Sequence, residues 1–480
     1  MELNVNELVN VLHGALQPEE ALRRANEDAL QRAEGCAGYC TALVQLYVVP
    51  PPQLAAAERL LAVLCLKNTV ARRWHSRRED EEAISDAEKV TIRQGLLGSL
   101  QEPDRQLAAQ LQVIVAQIAR LDGLQAWPEL MPRLLEEASR PAASEAARGL
   151  SFLYRVVKQQ AARRLLPHRK QFFLLAAELL PRLQPIRAAT YQAFAVGLAS
   201  LSADAAASWL VADPGSDPAG GGPALLHAAA CLCKIERQLL LHGWASLHQC
   251  GEACALLSAH LDVLGGMQAQ QSRIAAAAVT GAAASEKLNP LLLIPAKILM
   301  EVQDLHPLAM AECLQRALGF FLTQLTERTL HSGSGDASER FLVRGLMFLR
   351  NALSTSAYLP SRTSSPEALH CHQTLQLFFS TAALPQLCHA LVSRALLLTE
   401  EELAEYEEDP ETYVHEESIA RETGSLRKCA ERCLLALADT NGCRTQVQGD
   451  VHMHVHMLHR HMLHRHRHGH RHRHMHMHMH

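Results

Sequence analysis

Aromatic residues are scarce in this chain, where Phe, Trp and Tyr together make up 4% of 480 residues. Runs that alternate β-branched with polar residues are nearly absent, and Leu and Ala supply most of an apolar fraction of 48%. Because strands favour aromatic and β-branched side chains while Leu and Ala favour helices, this composition predicts an all-α protein. A chain of this length exceeds one ordinary hydrophobic core, so we expect several packed units.

Long apolar runs and an excess of one sign of charge are lacking too. No segment offers the roughly 18 to 20 charge-free apolar residues that a membrane span requires, and the first residues lack the basic region of a secretory signal. Lys and Arg number 46 against 50 Asp and Glu, and no basic face carries interleaved aromatic residues. We therefore expect an intracellular soluble protein without membrane insertion or direct nucleic-acid binding.

Catalytic and metal-binding motifs are also missing. There is no P-loop, no Gly-x-Ser-x-Gly and no His-Glu-x-x-His segment. The 13 cysteines are odd in number and irregularly spaced, which argues against a disulfide framework. Three pairs stand four residues apart, at Cys36 and Cys40, Cys250 and Cys254, and Cys429 and Cys433. A metal site there is the less common outcome for such cysteines, so we predict buried reduced thiols, no cofactor and no enzyme activity.

The chain does contain successive amphipathic helical patterns from about residue 20 to 450, broken by Pro, Gly or polar clusters. Five apolar stripes at helical spacing are Leu107, Leu111, Ile114 and Ile118; Trp127, Leu130 and Leu134; Leu150, Leu153 and Val157; Leu342, Leu346, Leu349 and Leu353; and Leu387, Leu391, Ala395 and Leu398. The stripes recur at the spacing of HEAT and armadillo repeats, in which each repeat holds two helices in about 40 to 47 residues. We therefore predict a right-handed superhelical solenoid of HEAT (armadillo-like) helix pairs, which offers large binding surfaces. A compact helical enzyme domain is the competing interpretation.

Residues 60–74 form the most informative segment, because an apolar helical stripe there ends in a basic turn closed by Trp74. The stripe that we predict to be buried consists of Ala57, Leu61, Leu64 and Asn68. Lys67, Arg72 and Arg73 would reach water near the helix C-terminus, where cations oppose the helix dipole. These charges are either simply solvated or available to a partner.

The order of short motifs resembles the importin-beta (karyopherin-beta) family of nuclear transport receptors, and within it the importin-eleven-like branch. The likeness covers roughly residues 1 to 447. The motifs that carry it include Ala-Asn-Glu-Asp-Ala-Leu (25–30), Leu-Lys-Asn (66–68), Gln-Glu-Pro (101–103), Ile-Ala-Arg-Leu-Asp (118–122), Trp-Pro-Glu-Leu (127–130), Lys-Ile-Leu-Met (297–300) and Glu-Glu-Asp-Pro-Glu (407–411). Each motif is weak, but the ordered set is specific. Family members are roughly twice as long, so the resemblance implies an N-terminal half, that is, a truncated form.

The resemblance implies a receptor that binds Ran in its GTP form, carries protein cargo through the nuclear pore and contacts Phe-Gly-repeat nucleoporins. Such a receptor shuttles between cytoplasm and nucleus and visits the nuclear envelope. Cargo and Ran would lower each other's affinity by linkage, which needs no catalytic residue. The alternative is a HEAT-repeat scaffold without a response to Ran, and indifference to the nucleotide on Ran would identify it.

In this family the first helix pairs hold part of the Ran site. Matched motif by motif, Lys67 and Asn68 are the Ran-binding residues that the resemblance implies, with Arg72 and Arg73 as less direct candidates. We expect Trp74 to be a packing residue, and Trp127 likewise. The implied domains are an importin N-terminal domain over 1–100 and further HEAT repeats over 101–449.

Three segments interrupt the helical pattern. The Gly- and Pro-rich residues 213–223 predict a loop, and no Gly-Lys-Ser/Thr follows to make it a phosphate cradle. The acidic run 399–411 is interpreted either as a solvated helix and its exit or as an acidic loop, in which Glu401, Glu407 and Glu408 contact basic cargo. We expect the His-, Met- and Arg-rich residues 450–480 to be disordered. That tail either binds transition metals or arises from a misassigned exon or reading frame.

Overall fold

A computed structural model of the chain describes residues 5–52, 54–75, 83–212, 221–327, 337–361, 365–397, 400–412 and 425–440. Within these ranges the regular elements are helices, and none of the residues is in a strand. The predicted all-α class is therefore confirmed. Residues 213–220 of the loop predicted over 213–223 lie outside the described residues, as does the predicted disordered tail over 450–480. The end of the predicted loop is wrong, because Gly222 and Pro223 begin a helix.

The helices group into two compact units. The first comprises Met1–Leu247 and Val263–Ile294, and the second comprises His248–Asp262 and Pro295–His480. The helices of the first unit are α1 (Val5–Ala15), α2 (Glu20–Glu34), α3 (Tyr39–Val48), α4 (Ala56–Arg73), α5 (Asp86–Gly98), α6 (Arg105–Asp122), α7 (Leu130–Ala138), α8 (Ala143–Ala161), α9 (Leu166–Ala199), α10 (Ala203–Val211), α11 (Gly222–His242) and α13 (Gly281–Lys287). The unit boundaries fall within α12 (Gly251–Ala275) and α14 (Asn289–Leu305).

Helix pairs are the repeating motif of the first unit. The packed pairs are α1 with α2, α3 with α4, α7 with α8, and α9 with α11. The second helices α4, α6, α8 and α11 also pack in succession, so that they form a continuous row. Each pair can bury its apolar face only against its neighbours, which is the packing logic of HEAT-type repeats.

The second unit contains the remaining helices, which also pack through apolar faces. They are α15 (Leu314–Glu327), α16 (Ala337–Ser354), α17 (Pro366–Phe379), α18 (Ala383–Ala390, continued by a π-helical turn over Leu391–Ala395), α19 (Glu400–Glu408) and α20 (Leu426–Thr440). Helix α16 packs on α15 and α20. Phe321, Phe341 and Phe348 form the aromatic centre of this contact, where the rings of Phe321 and Phe348 lie 5.0 Å apart.

Helix α6 illustrates why the predicted stripes are buried. Its N-terminus is capped by Asp104, whose carboxylate accepts hydrogen bonds from the backbone N–H groups of Gln106 (2.8 Å) and Leu107 (3.0 Å). The helix stops at Gly123, whose φ of 83° is a backbone conformation that favours glycine. All four predicted residues of this stripe are buried, as are those of α8, while in α16 Leu353 is only half-buried.

The predicted buried face of α4 is wrong. The residues that the helix buries are Glu58, Ala62, Val63, Leu66, Thr69 and Val70. Ala57 and Asn68 are exposed, and Leu61 and Leu64 are half-buried. Helix α4 packs against α1, α3 and α6, so small and polar residues are enclosed between neighbours and the Leu-containing stripe is turned outward.

Helix α9 continues through positions at which the sequence predicts a break. It runs for 34 residues and contains both Pro181 and Pro185, where the sequence predicts interruptions. Proline lacks the N–H that an interior helical position donates. The helix nevertheless continues, with Leu179 and Leu180 buried before Pro181 and Leu183 buried after it.

Among the described residues, no single helix is long and apolar enough to cross a membrane. The bent pair Pro366–Phe379 and Ala383–Ala395 passes the limits of length and composition only when its two helices are taken together.

Candidate partner-binding site on the N-terminal repeats

A buried carboxylate fixes the start of α4. Glu58 accepts a hydrogen bond from the backbone N–H of Ala55 at 2.7 Å, and its other oxygen lies 2.6 Å from Nδ1 of His13. Burial raises the pKa of Glu58, but the hydrogen bonds from His13 and Ala55 together lower it by a larger amount. The pKa of Glu58 therefore lies below its ordinary value. A carboxylate in the first helical turn also faces the positive end of the helix dipole.

A second buried carboxylate fixes the end of α4. Trp74 is buried, as predicted for a packing residue, and its indole N–H donates to Oδ1 of Asp122 at 2.7 Å. Nε2 of His75 lies 2.9 Å from the same oxygen, and the guanidinium of Arg93 donates to Oδ2. Arg93 also lies over the Trp74 ring, 5.7 Å from its centroid. Three helices, α4, α5 and α6, therefore meet at one carboxylate.

A third carboxylate joins α3, α4 and the start of α6. Oε2 of Glu102 accepts from the hydroxyl of Tyr47 at 2.8 Å and from the guanidinium of Arg59 at 2.7 Å. Its Oε1 accepts from the backbone N–H of Asp104 at 3.0 Å. Glu102 and Asp122 both stand within the short motifs of the sequence, but their structural role was not predicted. These motif positions serve the packing of the repeats.

The predicted Ran-binding residues on the outward side of α4 differ in their surroundings. Lys67 is half-buried, and its ammonium donates to the amide oxygen Oε1 of Gln110 on α6 at 2.9 Å. Asn68 is exposed beside it. The half-buried side chains of Leu61 and Leu64 lie along the same stripe. The stripe therefore offers a cation, an amide and apolar surface together.

Arg72 and Arg73 are tied to α2. Nη2 of Arg72 lies 2.5 Å from Oε2 of Glu34, and the guanidinium of Arg73 donates to the backbone carbonyl oxygen of Glu34. The structure thus brings all four predicted residues to the second half of α4. Lys67 and Asn68 face outward at the α6 side, whereas Arg72 and Arg73 connect α4 to the end of α2.

The acidic run contains a helix where we also considered a loop. Helix α19 spans Glu400–Glu408, because Glu, Ala and Leu have high helix propensity. Glu407 and Glu408 are exposed, while the side chain of Glu401 lies outside the described residues.

An apolar cavity of about 410 Å³ opens between α7 and α9. Its apolar lining includes Pro128, Met131, Leu135, Phe172, Leu175 and Leu179. Leu174 on its rim is 73% exposed, which is unusual for a large aliphatic side chain. No residue of this cavity was predicted from the sequence, because the residue pattern does not show that α7 and α9 line a common cavity.

Comparison with known proteins defines the class. The importin-beta N-terminal domain matches residues 26–102 of the chain. Importin-11 of Homo sapiens is 30% identical over 437 residues, which are 90% of this chain and 42% of the human protein. The chain thus spans less than half the length of this relative. It belongs to the importin-beta family, is related to importin-11 and corresponds to the N-terminal part of its longer homologues.

Solved structures agree on the fold. Lph2, a bidirectional nuclear transport receptor in S. cerevisiae, superposes with a TM-score of 0.70 at 20% identity, over 91% of this chain and 41% of Lph2. The exportin Cse1 in its cargo-free, cytoplasmic state superposes with a TM-score of 0.63 at 14% identity, over 94% of this chain and 44% of Cse1. The predicted HEAT-repeat solenoid class is confirmed, and the family is one of transport receptors, not of enzymes.

Proposed function

We propose that this chain is a nuclear transport receptor that binds Ran in its GTP form and carries protein cargo through the nuclear pore. The observation that carries the proposal is the relationship to importin-11 over 437 residues, which includes the importin-beta N-terminal domain at 26–102. In this role the chain acts in the cytoplasm and the nucleus and passes the nuclear envelope at the pores.

The outward stripe of α4 suits the proposed Ran contact. Lys67 has a neutral hydrogen-bond partner, Gln110, so its positive charge is not cancelled by a carboxylate in the described part of the chain. A charge of this kind attracts an acidic partner surface, and the neighbouring Leu61 and Leu64 add apolar area. Arg72 and Arg73 contribute by holding α4 on α2 through Glu34. We therefore assign the main contact to Lys67 and Asn68.

The cavity between α7 and α9 suits the proposed Phe-Gly-repeat partner. An aromatic ring buries well in an apolar pocket lined by Met131, Leu135 and Phe172. Short repeats that each fill one small pocket bind weakly, which permits rapid passage through a pore. Met131→Glu would place a charge in this pocket and weaken binding of a Phe-Gly-repeat peptide.

The exposed Glu407 and Glu408 suit a basic cargo, because acidic side chains in water attract cationic segments over about a Debye length of 8 to 10 Å. Together with Glu401 they form the proposed cargo contact. Cargo and Ran then bind the same solenoid with opposite preferences, and the nucleotide on Ran sets which one is held.

The test is capture of Ran by the full chain. Immobilised protein is incubated with Ran loaded with a non-hydrolysable GTP analogue or with GDP, and the bound Ran is quantified. We expect selective capture of the GTP form, weakened about tenfold, or ~1.4 kcal/mol, in a Lys67→Glu, Asn68→Ala double variant. Lys287→Glu, at an exposed position on α13, is the matched control and should bind like the unaltered chain.

One result would overturn the proposed function, and another would overturn the proposed contact on α4. Equal capture of both nucleotide forms, or none, by a chain with intact helical circular dichroism would leave the HEAT-repeat scaffold without a Ran response. Selective capture that is unaffected by the double variant would keep the receptor function and move the Ran contact away from α4.

A further inference from the structure

The charged Lys, Arg, Asp and Glu side chains from position 146 in α8 to position 177 in α9 are all basic. Residues 146–177 contain no Asp or Glu. The Lys and Arg residues in this stretch are Arg148, Arg155, Lys158, Arg163, Arg164, Arg169 and Lys170. In a chain whose net charge is only -4, this segregation concentrates positive potential on one part of the first unit.

Part of this charge lines a groove that we call the basic groove. It lies where the C-terminal ends of α6 and α8 meet the start of α9, and it encloses about 790 Å³. Its lining includes Val113, Arg120, Gln159, Arg163, Arg164 and Leu165. The remaining lining residues are also uncharged or basic, so no carboxylate from the described ranges lines the groove.

Among the described residues, the hydrogen-bond partners of Arg120 and Arg163 are neutral side chains. Arg163 donates to Oε1 of Gln160 at 3.3 Å and to Nε2 of His168 at 3.1 Å, and Arg120 lies 3.5 Å from Oε1 of Gln159. Burial and the nearby charge of Arg120 lower the pKa of Arg163. Two guanidinium groups are thus held near each other without a compensating anion among the described residues.

The carboxylates of the adjoining cavity already have basic partners. Asp122 and Glu178 line the adjoining apolar cavity. Asp122 is held by Trp74 and Arg93, and Glu178 lies 3.2 Å from Nη2 of Arg182. Neither carboxylate forms an ion pair with Arg163 in the described part of the chain. The positive charge of the basic groove is therefore left for a partner molecule.

We propose that the basic groove binds an acidic peptide segment of a protein partner. The volume exceeds that of a single small anion, and three arginines at one groove match several carboxylates. Leu165, which is 68% exposed, and Val113 offer apolar contacts that favour a segment carrying a leucine or similar residue among its acids. No Phe, Tyr or Trp lines the groove, so stacking platforms for nucleic-acid bases are missing there.

This inference does not rest on the proposed transport function, because it follows from the charges of the groove alone. It also concerns a partner of opposite charge to the basic cargo proposed for the acidic helix. The signal in the sequence is the acid-free stretch. The total numbers of Lys plus Arg and of Asp plus Glu nearly balance over the whole chain, and this balance hides the local excess of positive charge.

The experiment uses the full chain and a fluorescein-labelled peptide of four Glu, one Leu and four Glu, followed by fluorescence anisotropy. We expect saturable binding that weakens as salt rises, and no binding of the same peptide with Gln in place of Glu. An Arg163→Gln, Arg164→Gln double variant should bind at least tenfold more weakly. An Arg23→Gln, Arg24→Gln double variant on α2 removes the same charge elsewhere and should bind normally.

Arg164→Glu is the second variant, because Arg164 is exposed and its substitution leaves the packing intact. It should weaken binding of the acidic peptide without changing thermal unfolding. Failure of the unaltered chain to bind, or an equal loss in the α2 control, would overturn the proposal. Tighter binding of a labelled single-stranded RNA, weakened by the same groove variants, would assign the groove to nucleic acid instead. Selective loss of Ran capture in the Lys67 variant would leave this result unchanged, so the two proposals fail separately.

Discussion

The indole N–H of Trp74 and the carboxylate of Asp122 are joined by a hydrogen bond of 2.7 Å, although 48 positions separate them in the chain. The carboxylate is 5% exposed and also receives the guanidinium of Arg93. The end of α4, the interior of α5 and the end of α6 are therefore connected through one buried charge. Removing that charge leaves the guanidinium of Arg93 without its partner.

We predict that Asp122→Asn lowers the free energy of unfolding by about 2 to 3 kcal/mol, because the amide keeps the shape but not the charge. Urea unfolding followed by circular dichroism measures the change. Asp28→Asn, at an exposed position on α2, removes the same charge and should change stability little. Equal effects of the two substitutions would show that the Asp122 contacts contribute nothing specific.

Glu58 predicts a pH dependence of stability. Its pKa in the folded chain lies below the ordinary value. Between the folded and the unfolded pKa, the folded chain therefore binds fewer protons than the unfolded chain, and stability rises with pH. The contribution is complete above the unfolded pKa and is lost as pH falls through the folded pKa. Glu58→Gln should reduce the difference in unfolding free energy between pH 7 and pH 3. Glu27→Gln, whose side chain is 56% exposed, should keep that difference.

Gly149 predicts a steric limit between α7 and α8. A Cβ at this position would lie 2.5 Å from the backbone carbon of Glu137 and 2.6 Å from the backbone nitrogen of Ala138. Backbone atoms cannot yield as a flexible side chain can, so Gly149→Ala should destabilise the chain by about 1 to 3 kcal/mol. Gly319→Ala in α15 meets no atom within 4 Å and should be neutral or stabilising by up to about 1 kcal/mol. Differential scanning fluorimetry of both variants provides the comparison, and a stabilised Gly149→Ala chain would refute the packing argument.

The cargo contact predicts a selective effect of charge reversal. Changing Glu401, Glu407 and Glu408 together to Lys should weaken binding of a lysine-rich peptide by roughly tenfold or more, since attraction becomes repulsion. Capture of the GTP form of Ran should remain. Three reversals at the exposed Glu20, Glu136 and Glu286 give the same net charge at other positions. If that control weakens the peptide equally, net charge and not helix α19 governs binding.

The helical stripes of α6 and α8 were predictable because each helix has one strongly apolar face. Leu111, Ile114 and Leu153 are large, regularly spaced and fully buried. Helix α4 was not predictable in the same way, since Ala62 and Thr69 are buried while Leu64 is only half-buried. Enclosure by several neighbouring helices decides burial there, and hydrophobicity along one segment does not encode it.

The candidate site, too, was predictable from the sequence only in part. The sequence pattern allowed the prediction that Lys67 reaches water near the end of a helix, but Asn68 was assigned to the buried face and is exposed. The neutral partner of Lys67 and the link from Arg72 to Glu34 depend on residues 43 and 38 positions away. Such contacts follow from the stacking of repeats, so no local sequence pattern predicts them. Trp74 and Trp127, which we predicted to pack, are both buried.

The polar links between the repeats also bear on how the chain folds. The hydrogen bond from Lys67 to Gln110 joins residues 43 positions apart, and that from Trp74 to Asp122 joins residues 48 positions apart. Each link therefore needs only the next helix pair to be present. Contacts of this short range give a low relative contact order in a chain of 480 residues. Loop-closure entropy then stays nearly constant as each pair is added. The repeats from α3 to α8 can therefore acquire their buried carboxylate contacts one pair at a time as they leave the ribosome.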